Sequence, residues 1–255
     1  MQRVLSKKQR VISGNLINYY SYEPSEHSRS LVFLHGWRSD ATAWKQVMNN
    51  LHFEDIALYA LDLPGFGQSQ IPESAYGVDD YVRVVKGFIE ELGLKNVILV
   101  GHSFGGRIST KYAARTSLDS LVLVDSGGIN ELTLVKYVKS RIAKIFKPAF
   151  RISALKPLRI KIYNLIGSSD YVATPYLRDT FLKIIGEDLR GEMKNISVPT
   201  AIIWGTKDKE TPFRWAREMN ELIPNSKLYA IEGAGHYSFI DQPDAFLQIM
   251  EDILK

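Results

Sequence analysis

The segment around Ser103 has the residue pattern of an activated serine. An apolar run at residues 97–100 precedes Gly101-His102-Ser103-Phe104-Gly105, and a helical pattern follows. A G-x-S-x-G sequence between a strand and a helix places its serine on a sharp, strained turn, with the hydroxyl presented to a substrate. The helix that begins after Ser103 directs its free N–H groups and its dipole toward a developing negative charge. The pattern predicts a nucleophilic serine.

A serine hydroxyl needs a base within hydrogen-bond reach, and the chain contains five histidines. His236 ends the segment Gly233-Ala234-Gly235-His236 after the last apolar run, and its glycines let the loop bring an imidazole over the serine. His27 and His52 lie in polar surroundings and are expected to be solvated, whereas His35 is expected to make a structural hydrogen bond. We therefore assign the base to His236.

The imidazole in turn needs a carboxylate that fixes its tautomer and stabilises its charged form. Asp208 follows the apolar run 201–204, and Asp125 follows the run 121–124, so both are expected beyond the carboxyl ends of strands. Asp208 preserves the order Ser, Asp, His along the chain that accompanies this type of serine turn. Asp208 is the predicted acid, and Asp125 stays open as the alternative.

Attack of a serine on a carbonyl also requires hydrogen-bond donors for the oxyanion. The main-chain N–H of Phe104 is one candidate donor, and that of Trp37, which follows the apolar run 31–34, is the other. Gly36 permits a close turn at this point. We expect Gly36 and His102 to contact the substrate.

The elements that would position these residues follow a regular alternation. Short apolar runs, typical of buried parallel strands, alternate with amphipathic helical stretches. The first run is split by Gly14 and Asn15 and reads as a hairpin. This order predicts an α/β fold: a mostly parallel, twisted sheet with helices on both faces, whose site lies beyond the carboxyl ends of the strands. The predicted strands are residues 11–13, 16–20, 31–34, 56–61, 97–100, 121–124, 201–204 and 228–231, and the predicted helices are 41–51, 78–92, 105–115, 214–222 and 244–254.

The alternation breaks after Val124. Residues 130–196 have helical apolar spacing without a convincing buried strand, and Pro148, Pro157 and Pro175 divide them into short helices. We interpret residues 130–196 as a helical cap inserted into a core formed by residues 1–129 and 197–255.

The expected cap differs from the core in charge and carries candidate pocket residues. It has 13 Lys/Arg against 6 Asp/Glu between Glu131 and Lys194, and nine basic residues without an acidic one between Lys136 and Lys161. This basic run is interpreted as a solvated face, as an attraction for anionic substrates, or as a contact with an anionic membrane surface. The aromatic residues of the expected cap have two interpretations: they line the substrate pocket or they pack the cap onto the core. These residues are Tyr163, Tyr171, Tyr176 and Phe181, and we expect Tyr163 and Tyr171 to bind substrate.

Composition excludes several other classes. The 255 residues contain no cysteine, which excludes disulfide scaffolds, a cysteine nucleophile and thiolate metal sites. We see no signal-peptide pattern and no apolar run long enough to span a membrane, and expect a cytoplasmic protein. We expect no metal, no cofactor and no nucleic-acid partner, and a monomer or a homodimer.

Taken together, these motifs resemble those of the α/β-hydrolase family, over essentially the whole chain. The resemblance rests on His35-Gly36-Trp37, the loop Asp62-Leu63-Pro64-Gly65-Phe66-Gly67-Gln68-Ser69, the serine motif, Trp204-Gly205-Thr206-Lys207-Asp208 and Gly235-His236. It implies the α/β-hydrolase fold with a helical cap, and it places the catalytic triad at Ser103, Asp208 and His236. Ser103 stands where related dehalogenases and epoxide hydrolases carry an aspartate nucleophile.

Gly-His-Ser-Phe-Gly-Gly looks most like the motif of capped carboxylesterases. We expect hydrolysis of small to medium carboxylic esters through an acyl-enzyme. The alternatives are a carbon–carbon bond hydrolase of the aromatic-degradation type, a lactonase or thioesterase with the same triad, and a receptor that reuses the scaffold.

Overall fold

The computed structural model describes residues 3–131 and 174–255. Within them, eight strands form one sheet in the order β1-β2-β4-β3-β5-β6-β7-β8. The strands are β1 (Ser6–Ile12), β2 (Asn15–Tyr22), β3 (Arg29–Leu34), β4 (Ile56–Leu61), β5 (Val97–His102), β6 (Ser120–Val124), β7 (Thr200–Gly205) and β8 (Ser226–Ile231).

The sheet is antiparallel only at its first edge. β1 and β2 pair as a hairpin through Ser13 and Gly14, whose φ angles of 48° and 80° suit the tight turn that the twist of two antiparallel strands requires. β2 also runs antiparallel to β4, and the neighbours from β4 to β8 are parallel. The parallel strands β3 to β7 are almost wholly buried, which explains why they are continuous apolar runs in the sequence.

Helices cover both faces of the sheet. They are α1 (Lys45–Asn50), α2 (Val78–Glu91), α3 (Phe104–Ala113), α4 (Arg178–Gly186), α5 (Arg190–Met193), α6 (Phe213–Leu222), α7 (Ser238–Asp241) and α8 (Pro243–Leu254), with 3₁₀ turns at Ala41–Trp44 and Pro175–Leu177. One buried cluster joins α2, α3 and α6 to the sheet, and the other joins α1, α7 and α8 to its opposite face. None of the helices in the described ranges is long and apolar enough to cross a bilayer.

The predicted fold class and the order of strands and helices are confirmed. Two local features differ from the prediction. The single helix expected at residues 41–51 begins as a 3₁₀ turn, because the carboxylate of Asp40 accepts the N–H of Thr42 and that of Asp62 accepts the N–H of Ala41. The short helix α7 was not predicted, and it lies directly after His236.

Only part of the expected cap, residues 130–196, lies in the described ranges. There, two buried cations of α3 hold α4 and the loop that follows it. Arg107 donates to the carbonyls of Ile184 and Glu187 at 3.2 and 2.9 Å, and Lys111 pairs with the carboxylates of Asp79 and Glu187. The basic run 136–161 and the candidate substrate residues Tyr163 and Tyr171 lie outside the described residues.

Candidate active site

Ser103 occupies a strained turn between β5 and α3. Its φ and ψ angles are 51° and −108°, a conformation that L residues rarely adopt. The turn is tight, because a Cβ at Gly101 would lie 2.5 Å from the carbonyl oxygen of Gly105, and one at Gly105 would collide with the backbone of Leu34. The two motif glycines are therefore required by the close approach of backbone segments, and the strain places the hydroxyl at the carboxyl edge of the sheet.

His236 lies against this hydroxyl. Its Nε2 is 3.0 Å from Oγ of Ser103, and its Nδ1 is 2.9 Å from Oδ2 of Asp208. The loop after β8 brings the imidazole there, and the N–H of Gly235 fixes the loop by donating to the Asp241 carboxylate at 2.7 Å. The structure thus brings together the three residues that the sequence singles out as nucleophile, base and acid. By contrast, His27 and His52 are exposed.

The Asp208 carboxylate is surrounded by donors. Oδ1 accepts the main-chain N–H groups of Glu210 and Thr211 at 2.8 and 2.9 Å, and Oδ2 accepts the Thr211 hydroxyl at 2.6 Å as well as His236. Burial alone would raise the pKa of Asp208, but the hydrogen bond and charge of His236 and the bonds from Thr211 hold that pKa below its ordinary value. Asp208 is therefore ionised at neutral pH and requires a proton on Nδ1 of His236.

This proton placement leaves Nε2 of His236 as an acceptor for the Ser103 hydroxyl. Burial lowers the pKa of His236, yet the hydrogen bond and charge of Asp208 outweigh it, so the pKa lies above its ordinary value. A neutral imidazole can accept a proton from Ser103, and the neighbouring carboxylate stabilises the imidazolium that results.

Asp125, the alternative acid, serves a different contact. Its Oδ1 accepts the N–H of Gly205 at 2.8 Å, and its Oδ2 accepts the N–H and the hydroxyl of Ser238 at 3.1 and 2.6 Å. Burial raises the pKa of Asp125 to about 7, against the lowering effect of its bonds to Ser238 and Gly205. Asp125 therefore ties the end of β6 to the strand before Asp208 and to the helix after His236, and Asp208 holds the position beside the imidazole.

The segments that carry the main-chain N–H groups of Trp37 and Phe104 adjoin the nucleophile. Within residues 3–131 and 174–255, neither the N–H of Trp37 nor that of Phe104 donates to another protein group. A Cβ on Gly36 would lie 3.3 Å from Cβ of Ser103, so the turn that bears the Trp37 N–H is packed directly against the serine. The residues expected to form the oxyanion site thus border Ser103 from two sides.

His35 fixes the direction of the Trp37 N–H. Its Nδ1 donates to the carbonyl of Gly36 at 2.8 Å, and its Nε2 accepts the N–H of Leu63 at 2.9 Å. Because the C=O and N–H of one trans peptide point in opposite directions, holding the Gly36 carbonyl also holds the Trp37 N–H. Burial lowers the pKa of His35, which keeps it neutral as these two bonds require. The structural role predicted for His35 is confirmed.

His102 is buried beneath the loop that carries His236, a position that does not support the expected substrate contact. It is 1% exposed, and its Nε2 donates to the main-chain carbonyl of His236 at 2.7 Å. Burial lowers the pKa of His102 to about 3, so it stays neutral. At the end of β5 its ring faces Trp44 and Phe239 on the opposite side of the sheet from the helix α3. His102 therefore positions the loop that carries His236.

An aromatic group lies beside the two main-chain donors. The Trp37 ring centroid is 4.8 Å from that of Phe66, 5.3 Å from that of Phe104 and 5.2 Å from that of Phe181. Phe181 belongs to α4 and is 8% exposed, whereas Tyr176 on the preceding turn is 57% exposed. Of the described aromatic candidates in the expected cap, Phe181 thus packs beside the site and Tyr176 faces solvent.

Two functional contacts were missed in the sequence. Thr211 joins Asp208 to the imidazole, with its Oγ1 3.2 Å from Nδ1 of His236, and Glu210 places Oε2 3.4 Å from Nε2 of the same ring. Both follow Asp208 on a short loop, and that adjacency was the available signal. In the parts of the chain that the structure describes, no cluster of side chains suits a metal ion.

Comparison with known proteins assigns the family. The model of the alpha/beta hydrolase family matches residues 31–249. This range includes the strands β4 to β8 and the residues Ser103, Asp208 and His236. The chain belongs to the alpha/beta hydrolase family. Membership agrees with the sheet order and with the serine turn at the carboxyl edge.

Two curated relatives match this hydrolase over most of its length. It is 29% identical over 240 residues to the AB hydrolase superfamily protein YisY of Bacillus subtilis, covering 86% of this chain and 88% of the relative. It is 27% identical over 247 residues to a pimeloyl-[acyl-carrier protein] methyl ester esterase of Vibrio cholerae, covering 89% and 94%. Family membership and an esterase relative together support hydrolase activity.

Solved structures share the fold of this hydrolase at low identity. A bacterial membrane phospholipase A has a TM-score of 0.78 at 24% identity, covering 98% of this chain and 86% of that one. An esterase from Exiguobacterium antarcticum has a TM-score of 0.76 at 24% identity, covering 97% and 99%. An enol-lactonase from Burkholderia xenovorans and the meta-cleavage product hydrolase CumD have TM-scores of 0.74 and 0.72 at 20% and 21% identity, covering 97% of this chain and 99% and 97% of theirs. The fold therefore accommodates several hydrolytic reactions.

Proposed function

We propose that this hydrolase cleaves carboxylic esters through a covalent acyl-enzyme on Ser103. The observation that carries the proposal is the pair of hydrogen bonds that links Ser103, His236 and Asp208 at 3.0 and 2.9 Å. The two unoccupied main-chain donors beside Ser103 supply what a tetrahedral intermediate needs. The curated methyl ester esterase among its relatives supports an ester as the bond cleaved.

In the first step, Oγ of Ser103 attacks the ester carbonyl while Nε2 of His236 takes its proton. The carbonyl oxygen becomes negative and receives the N–H groups of Trp37 and Phe104. Asp208 stabilises the imidazolium through the 2.9 Å bond to Nδ1. The neighbouring carbon–oxygen bond then breaks, and Nε2–H of His236 protonates the leaving alcohol.

In the second step, a water molecule takes the place of the alcohol. His236 Nε2 removes a proton from this water as it attacks the acyl carbon, and a second tetrahedral intermediate forms at the same two donors. Its collapse breaks the bond to Ser103, which recovers its proton from Nε2. The carboxylic acid leaves, and the resting hydrogen bonds are restored.

We propose that small to medium acyl groups bind beside the aromatic rings of Trp37, Phe104 and Phe181. We extend the proposal to residues 130–196 as a cap over this side of the site, since Phe181 of α4 already packs against Trp37 at 5.2 Å. Attraction of anionic substrates or membranes by the basic run 136–161, a cytoplasmic location and a monomer or homodimer remain predictions from the sequence.

Lactones and thioesters would use the same steps, and a carbon–carbon bond hydrolase is the second candidate. The fold shared with the enol-lactonase and with CumD favours including both reactions in the test. A receptor built on the same scaffold would not need the hydrogen-bond donors that keep Asp208 ionised, so these donors favour an enzyme.

The test compares Ser103→Ala with Ser109→Ala on p-nitrophenyl esters, a lactone, a thioester and a dienone acid. Ser109 is a matched control, because Ser109→Ala removes the same hydroxyl from the helix that follows Ser103, and the Oγ of Ser109 has no hydrogen-bond partner among the described residues. We expect Ser103→Ala to lose at least about 10³-fold in kcat while it remains folded, and Ser109→Ala to keep wild-type turnover. Wild-type activity in Ser103→Ala would contradict the proposal, and preference for the dienone acid would favour the second candidate.

A further inference from the structure

Glu210 lies next to the atom that delivers a proton to the leaving group. Its Oε2 is 3.4 Å from Nε2 of His236, and its side chain is 67% exposed. Its main chain is fixed, because its N–H donates to Oδ1 of Asp208 at 2.8 Å. A carboxylate therefore lies at the exposed side of the imidazole, where we expect the alcohol part of an ester to depart.

The neutral imidazole does not satisfy this carboxylate. Nδ1 of His236 carries its proton toward Asp208, so Nε2 presents a lone pair to the Ser103 hydroxyl. A carboxylate oxygen and a lone pair are both acceptors and form no hydrogen bond with each other. In the resting site, Glu210 thus retains a negative charge that a substrate can approach.

In the described part of the chain, no lysine or arginine neutralises the charge of Glu210. Its ion-pair contact there is with His236, and no lysine or arginine of residues 3–131 and 174–255 lies within 4.0 Å of its carboxylate. The other described groups beside the imidazole are the carboxylate of Asp208, the hydroxyls of Ser103 and Thr211, the neutral ring of His102, the ring of Tyr237 and the more distant Asp125. None of these adds positive charge where the alcohol leaves.

The two sides of the site therefore differ in chemistry. The side of the oxyanion donors is aromatic, because the ring of Trp37 contacts both Phe104 and Phe181. The leaving-group side carries the exposed Glu210 carboxylate.

We propose that Glu210 is a specificity-determining residue that favours esters of an apolar acid with a cationic alcohol. The inference rests on the proposed esterase function, and it assigns the leaving-group side of that same site. A quaternary or primary ammonium on the alcohol lies within several ångströms of Glu210 when its oxygen accepts the proton of Nε2. The attraction acts on the cationic ester alone.

The experiment uses two esters of the same shape. Butanoylcholine carries a trimethylammonium group, and 3,3-dimethylbutyl butanoate replaces its nitrogen by carbon and is neutral. The ratio of kcat/KM for the cationic ester to that for the neutral ester is measured for the wild type, Glu210→Gln and Glu232→Gln. Glu232 is the matched control, because it is exposed, lies on the loop that carries His236 and loses the same charge.

We expect the ratio to fall about threefold to tenfold in Glu210→Gln and to stay unchanged in Glu232→Gln, from the attraction of opposite charges several ångströms apart near water. The fall in the ratio should be smaller in about 0.5 M salt, because salt screens the attraction between exposed charges. An effect of Glu210 on the basicity of His236 changes both esters equally and cancels in the ratio. The electrostatic field of the remaining charges is the same in both variants, so it cancels when the ratios for Glu210→Gln and Glu232→Gln are compared.

A ratio that is equal in wild type and Glu210→Gln would overturn the proposal, as would an equal fall in Glu232→Gln. Turnover of the neutral ester reports separately on the proposed function. A second measurement removes the dependence on the acyl group. It compares the rates at which two phosphonates react with Ser103, one with a thiocholine and one with a 3,3-dimethylbutanethiol leaving group. Failure of Ser103 to react with either phosphonate would contradict the esterase proposal and this inference together.

Discussion

The turn that bears the Trp37 N–H has no room for a methyl group, so Gly36→Ala tests the oxyanion site. A Cβ at position 36 would lie 2.8 Å from Nδ1 of His102, 3.0 Å from its Cε1 and 3.3 Å from Cβ of Ser103. His102 cannot swing away without losing its 2.7 Å bond to the His236 carbonyl. Since carbon atoms pack at about 3.5–4.0 Å, the turn must move by roughly 0.5–1 Å.

This displacement moves a donor that has to lie about 2.7–3.1 Å from the oxyanion. Loss of one oxyanion donor typically costs about 10²–10³ in kcat, and Gly36→Ala is expected to show a loss in that range with little change in KM. The assay is steady-state hydrolysis of p-nitrophenyl butanoate, with thermal unfolding to confirm that the variant is folded. Gly191→Ala is the matched control, because a Cβ there meets no atom within 4 Å and the position lies in α5. A folded Gly36→Ala variant with kcat within about threefold of wild type would refute the role of this turn.

Two further predictions concern the imidazole and its carboxylate. Because the pKa of His236 is raised above its ordinary value and only the neutral ring can act as base, kcat/KM should fall about tenfold per pH unit below a midpoint above roughly 6.5. A rate that stays flat from about pH 8 to pH 5 would exclude His236 as base. Thr211→Val removes a hydroxyl that donates to Asp208 at 2.6 Å, and we expect kcat/KM to fall about tenfold, with most of it restored in Thr211→Ser. Equal activity of Thr211→Val and wild type would show that the other donors to Asp208 suffice.

The fold was accessible from the sequence because its central strands are buried on both faces. Such strands are continuous apolar runs, and their alternation with amphipathic helices leaves few arrangements other than a parallel sheet. The unpredicted features depend on contacts between distant segments. The 3₁₀ turn at Ala41–Trp44 is set in part by the carboxylate of Asp62, and α7 is tied through Ser238 to Asp125, which follows β6.

The three central site residues could be predicted because each follows a strand, and parallel strands end at one edge of the sheet. The choice between Asp208 and Asp125 could not be settled in this way, since β6 and β7 are neighbours and both carboxylates lie beyond them. The structure separates them through their donors, Gly205 and Ser238 for Asp125 and the imidazole for Asp208.

The direction of the His102 side chain could not be predicted from its adjacency to Ser103. Side chains alternate along a strand, and at the end of β5 that of His102 points into the core beneath the His236 loop. Glu210 and Thr211 were missed for a related reason. Their roles depend on how a short loop folds back over the imidazole, which no periodicity in the sequence specifies.

The most direct test of the account is the mass of the protein during rapid turnover of p-nitrophenyl butanoate. An acyl-enzyme on Ser103 should give a burst of about one p-nitrophenol per active site and, on acid quench, one butanoyl group located on Ser103. A butanoyl group on another residue, or full turnover without any acylated Ser103 under conditions where the burst is resolved, would contradict it.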